Sequence, residues 1–159
     1  MEIQKLYDFD ELDLDDIAIS LVRLVKHIPD YELFFQINQS NNEYLNFSRI
    51  KDLVIEGQYF DYYFTRFQGY HKFSKTCFTL IANKSVHSVQ KQEITELFTT
   101  EENVKHLLNN QTDVDYLVHS SEEYPDFSVI LWPSNLVFPL QEYRLCFEEE
   151  LYQIIQYYE

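Results

Sequence analysis

Glycine is nearly missing from this chain: its 159 residues include two, Gly57 and Gly69, where average usage would place about eleven. Two isolated glycines cannot make a G-x-G-x-x-G turn or a G-x-x-x-x-G-K-[ST] loop, and both need glycine where backbone amides close on a phosphate. Nucleotide binding through those loops is excluded, and turns must rely on Asn, Ser, Lys and the 4 prolines. Cysteine is as scarce. Cys77 and Cys146 lie far apart with no C-x-x-C pattern, so neither a redox motif nor a thiolate metal site can be written. No apolar run approaches the ~18 residues a membrane-spanning helix needs. The first twenty residues are acidic rather than basic-then-apolar, so no signal peptide is expected. A reduced cytoplasm is the expected setting.

Basic residues are also few, 12 against 27 acids, for a net charge of −15. That balance opposes general nucleic-acid binding, which needs concentrated Lys and Arg, and it disfavours an anionic membrane surface. It favours solubility and attraction to a basic partner. The charge is laid out acid–base–acid. Residues 1–16 carry seven acids and one Lys, residues 44–91 carry seven bases and three acids, and residues 92–127 carry nine acids and one Lys.

What the chain has in quantity is apolar and aromatic side chains: 45% hydrophobic residues, with 13 Tyr, 13 Phe and 1 Trp. That composition and length predict one folded domain over residues 1–159, with residues 1–9 as a flexible acidic N-terminus. Apolar residues at Leu14, Ile17, Ala18, Leu21, Val22, Leu24 and Val25 approximate helical spacing, with acids before them and Pro29 behind, which predicts an N-terminal helix. Residues 31–38, 45–55, 59–67 and 76–82 read as four strands in an antiparallel meander. Residues 88–98 fit helix or loop. Thr99 to Glu102 has the form of a capping box opening a short middle helix through Leu107 and Leu108. Further strands are expected at residues 113–119, 127–132 and 136–147, the last bent at Pro139, and a C-terminal helix at residues 148–158. The expected class is α+β: a mainly antiparallel sheet of about five to seven strands with three helices.

Candidate chemistry is sparse. His27, His71, His87, His106 and His119 are isolated, with no H-x-x-x-H pair, so no metal is expected. Cys77 with His71 and Asp61 makes a conceivable nucleophile, base and orienting acid, although Cys77 sits in an apolar strand pattern. Asp126, Glu142 and Arg144 loosely follow a metal-dependent nuclease pattern, but Arg stands where Lys should activate water. His119-Ser-Ser121 is half of an H-x-[ST] pair whose second half is absent. No cofactor is expected.

The most distinctive segment is residues 59–73. Tyr59, Tyr62, Tyr63, Tyr70 and His71 interleave there with Arg66, as aromatic anchors of an interface do. Asp13, Asp15 and Asp16 supply an acidic run that either charges a helix start or meets a basic partner. Together these predict a non-enzymatic cytosolic protein-binding module that presents acidic and aromatic surfaces, such as an immunity, inhibitor or adaptor protein. The alternatives are a small metal-dependent hydrolase or nuclease-like enzyme and a structural subunit of a larger assembly.

Overall fold

In the computed structural model the described residues are 16–95, 101–146 and 148–158. They build one sheet of seven antiparallel strands and two helices, in the order β1 (Ile17–Val22), α1 (Asp30–Asn41), β2 (Phe47–Glu56), β3 (Phe60–His71), β4 (Thr76–Ala82), β5 (His87–Gln90), β6 (Tyr116–Ser120), β7 (Gln141–Leu145) and α2 (Glu150–Tyr158). Across the sheet the strands run β2-β3-β4-β6-β1-β7, and β5 continues the edge of β3 beyond β4. The α+β class, the dominance of antiparallel pairing, the β2–β3–β4 meander and the C-terminal helix are as the sequence predicts. Among the described residues no helix is long and apolar enough to cross a membrane.

The first two elements exchange types. Residues 17–22, expected in a helix, form the strand β1, and residues 31–38, expected as a strand, lie in the helix α1. Each exchange has the same cause. β1 lies between β6 and β7 and sends Ile19 and Leu21 to one buried face and Val22 to the other, so its sequence is apolar in succession and fits both periods. In α1, Leu33, Phe34 and Ile37 face the sheet while Tyr31 and Phe35 face out, which blurs the helical stripe.

Two further expectations fail for want of free backbone. Residues 127–132, expected as a strand, begin with a 3-10 turn (Phe127–Val129) that Asp126 caps by accepting the Ser128 N–H at 3.0 Å. The remainder is coil. Among the described residues the middle helix is also absent: residues 101–108 are coil and bends with one bridge from His106 to Lys84, and Glu101 reaches across the chain instead of capping its own helix. Its carboxylate accepts N–H bonds from Tyr59 at 2.8 Å and Phe60 at 3.2 Å, as well as from Gln58. Thr99 and Thr100, and the predicted N-terminal extension 1–9, lie outside the described residues.

The sheet is covered on both faces. On one, α1 packs with residues 127–137 over Phe47, Phe67, Phe78, Leu80 and Val118. Phe34 is the hub there, stacked on Phe67 at 3.7 Å and edge-on to Phe47 and Tyr116 at 5.9 and 5.8 Å. On the other, α2 packs Leu151, Tyr152 and Ile155 with Leu107, Leu108 and Val114 over Leu53, Phe64, Ile81 and Leu117. A one-residue bulge between Ile50 and Leu53 lets both residues fall on the α2 face despite their odd spacing.

Two buried asparagines hold the coil parts of these coverings. Asn83 donates to the carbonyls of Gln111 and Val114, both at 3.0 Å, and accepts the Leu108 N–H at 2.9 Å. Asn41 donates to Ile37 and Leu131 carbonyls at 2.8 and 2.9 Å and accepts the Leu131 N–H at 2.9 Å. The glycines serve close approach, not left-handed turns: neither has positive φ, which falls instead on Asn42 (53°) and Lys75 (57°). A Cβ on Gly57 would lie 2.9 Å from Glu101 Oε1, and one on Gly69 would lie 3.0 Å from Asn46 O.

Replacing Asn83 by Leu leaves one amide and two carbonyls unpaired beneath the α2 covering. At about 1–3 kcal/mol for each stranded buried group, partly relieved by relaxation, Asn83→Leu is expected to lower stability by about 3 kcal/mol or more in urea unfolding. The exposed Asn103→Ala control is expected to stay within about 0.5 kcal/mol. Equal midpoints for the two variants would remove Asn83 from this role.

Candidate partner-binding surface

β3 points alternate side chains to opposite faces, so the aromatic segment divides rather than forming one platform. Tyr59 and Tyr62 are 1% and 4% exposed and belong to the core of the α2 face. The Tyr62 hydroxyl donates to the Glu102 carbonyl, and burial with nearby Glu101 and Glu102 raises its pKa. Tyr63 is half-buried on the other face, stacked on His87 at 4.4 Å. Arg66 is half-buried, its Nε donating to the Lys51 carbonyl at 2.8 Å. His71 is buried and accepts the Ser74 N–H at Nδ1, at 3.1 Å. Tyr70 alone of the predicted tyrosines is well exposed. Asp16 is exposed beside β1, while Asp13 and Asp15 lie outside the described residues.

The catalytic candidates do not converge either. Cys77 pairs with Tyr70 across the hairpin and His71 pairs with Thr76, which puts Cys77 and His71 on opposite faces. Asp61 sits at the far end of β3, 3.1 Å from Lys91. Asp126 is engaged by the Ser128 hydroxyl and N–H, which lower its pKa. Glu142 lies opposite Ser20 on β1, with Arg144 on the same face. Among the described residues no three His, Cys, Asp or Glu side chains group closely enough to hold a metal ion.

Surface aromatics outside the predicted segment are more telling. Tyr31 and Phe35, four residues apart on the outward side of α1, are 78% and 62% exposed. Asp30 and Glu32 add acid to the same first turn. Asp30 turns inward to accept the Tyr116 hydroxyl, leaving Glu32 on the surface beside the rings. A second pair stands at the β3–β4 hairpin: Phe73, 74% exposed, lies 5.0 Å from Tyr44. Lys72 and Lys75 flank it, and the Lys72 N–H donates to the Tyr44 carbonyl at 3.0 Å, tying the hairpin to the end of α1. Residues 31 and 35 were legible in the sequence only as part of a short β-prone stretch over residues 31–38.

Packing displaces the titration of His119 in a way that bears on stability. His119 shares the α2 face with Thr79 and Gln68, and it lies by Arg66 on β3 and by Ile154 and Ile155 of α2. Burial pushes its pKa down to about 4. The folded chain holds this imidazole neutral, whereas the unfolded chain takes up a proton near the ordinary value of about 6.5. Its contribution to stability is therefore complete above about pH 6.5 and is lost as pH falls towards 4, at up to about 1.4 kcal/mol per pH unit. His106, lowered by burial and by Lys84, acts in the same direction. His119→Gln should flatten the fall in urea midpoint between pH 6.5 and 5 by one proton's worth; an unaltered slope would show the proton binds elsewhere.

No protein-family model matches this chain, and no match was found among curated proteins or solved structures, so its function has to be read from these surfaces alone.

Proposed function

We propose that this protein is a non-enzymatic binding module that docks a protein with a basic surface, using the outward face of α1 as its contact. The observation that carries the reading is a helix with apolar residues on both sides. Leu33, Phe34 and Ile37 face the sheet, while Tyr31 and Phe35 stand in water at i and i+4. Two large rings held side by side on the solvent face of a helix form an exposed apolar patch of the kind that marks a contact surface. Large rings fixed on a rigid helix lose little freedom on binding, and fully burying one contributes roughly 1.5–3 kcal/mol.

Charge supports the class of partner. The chain carries −15 overall, and Glu32 places an acid beside the two rings. A basic partner would be drawn by the long-range field and held by the aromatics. An immunity or inhibitor protein for a basic toxin or nuclease is the sharper form of this reading, and a cytoplasmic location would go with it.

The test compares the protein with Tyr31→Ala/Phe35→Ala in quantitative co-purification from its native cells. The double variant should lose its basic interactors more than tenfold while its melting temperature stays within about 2 °C, since both side chains are exposed. Tyr124→Ala, at another exposed aromatic, serves as the control and should retain them. Identical interactor profiles for all three proteins would end the proposal.

A further inference from the structure

Residues 127–140 cross the β1–β7 end of the sheet on the α1 face and leave a groove of about 680 Å³ beneath them. That volume lies within the range of small-molecule sites. Its walls include Phe127, Trp132, Phe138 and Leu140, and Ser20 and Glu142 line it from the paired strands β1 and β7. These walls are held in place rather than loosely draped. Asn41 binds both the N–H and the carbonyl of Leu131, the Phe138 N–H donates to the Arg23 carbonyl at 3.0 Å, and the Val25 N–H donates to the Leu136 carbonyl at 2.7 Å. A groove whose walls are fixed by backbone hydrogen bonds loses little entropy when it is filled.

Two observations indicate what fills it. Among the described residues Glu142 is the only charged side chain lining an otherwise apolar and hydroxyl-bearing surface, and it has no ion-pair partner there. Among the described residues the indole N–H of Trp132 is buried without an acceptor, an arrangement unfavourable for stability alone. Three aromatic walls beside one unpaired carboxylate favour a positive head on an apolar body, because ring faces and the carboxylate both attract cations. An anion would meet Glu142 and the field of a strongly acidic chain.

We propose that this groove is a binding site for a small amphipathic organic cation, an ammonium group on an arylalkyl body, with Glu142 neutralising the head and Phe127, Trp132, Phe138 and Leu140 receiving the body. The site is separate from the outward face of α1 and does not depend on that surface having a partner.

Trp132 is the single tryptophan of the chain, so its fluorescence reports the groove directly. The test titrates three ligands of one skeleton: 4-phenylbutylammonium, 4-phenylbutan-1-ol and 4-phenylbutanoate. The ammonium ion should saturate the Trp132 signal and bind at least about tenfold more tightly than the alcohol, which is about 1.4 kcal/mol, with the carboxylate weakest. A chain of net charge −15 attracts every cation slightly, so the decisive comparison is Glu142→Gln, in which the cation's advantage should disappear while alcohol binding persists. Since Glu142 is exposed, the variant is expected to keep the fold, and its urea midpoint checks this. Four results overturn the proposal: no saturable response to the ammonium ion, equal binding of ammonium and alcohol, a preference that survives Glu142→Gln, or a Trp132 signal that changes on dilution without ligand. The last would assign the groove to a second copy of the chain.

Discussion

Two buried asparagines, one serving each face, are what the rest of the structure depends on. A seven-stranded sheet with apolar residues on both sides needs more cover than two helices of 12 and 9 residues can give. The remaining area is covered by coil, and coil pressed against a sheet brings peptide groups out of water with no ladder to satisfy them. Asn83 and Asn41 supply that ladder in miniature: each donates to two carbonyls and accepts one N–H. Glu101 serves the β2–β3 turn in the same way, and Gly57 leaves the space that its carboxylate occupies. Asp115 accepts the Leu24 N–H at 2.7 Å where β1 ends. An unusually polar set of side chains thus secures an unusually apolar sheet.

The same economy explains how far the sequence could be read. The meander of β2, β3 and β4 was legible because turn residues and β-prone runs alternate there, and α2 because acids precede an apolar stripe of helical spacing. β1 and α1 were misread because periodicity carries information only when one side of an element faces water. Ile17–Val22 is covered on both faces, and α1 carries Tyr31 and Phe35 among the polar residues of its outward face. The coil coverings were illegible for a different reason. Nothing local marks Asn41 or Asn83 as more than a turn former, since their partners lie up to 90 residues away in sequence. The capping-box reading at Glu101 had the right chemistry, a carboxylate that accepts backbone N–H bonds, but it assigned the wrong backbone.

The candidate sites were legible in kind and not in place. Aromatic excess and an acid–base–acid layout are properties of the chain, yet strand alternation decides which ring meets water. Coverage then decides among rings on one face: Tyr62 and Tyr70 point the same way from β3, but Tyr62 lies with Tyr59 in the cluster under α2, and Tyr70, beyond it, is exposed. The exposed rings that remain, Tyr31 and Phe35 on α1 and Phe73 with Tyr44 at the hairpin, occupy positions that only the fold could single out. Basic and aromatic groups do meet at the hairpin, where Lys72 and Lys75 flank Phe73, but acid and aromatic groups meet on α1. The two surfaces therefore differ in local charge, and the global charge of −15 has the same sign as the acids on α1.

The outward face of α1 and the groove differ in how they are tied to stability. Tyr31 and Phe35 project from a helix whose other side is anchored by Phe34, so they can change without disturbing the fold. The groove has no such independence. Its walls are the covering of the β1–β7 end, and Asn41, at the last turn of α1, holds Leu131 by the same hydrogen bonds that satisfy the coil. A helix in place of residues 127–137 would have packed its stripe down and filled the space; a coil interrupted by Pro133 cannot. The cavity is thus a consequence of covering a sheet with pinned coil, and the Trp132 indole, buried among the described residues without an acceptor, is a feature that packing alone does not require.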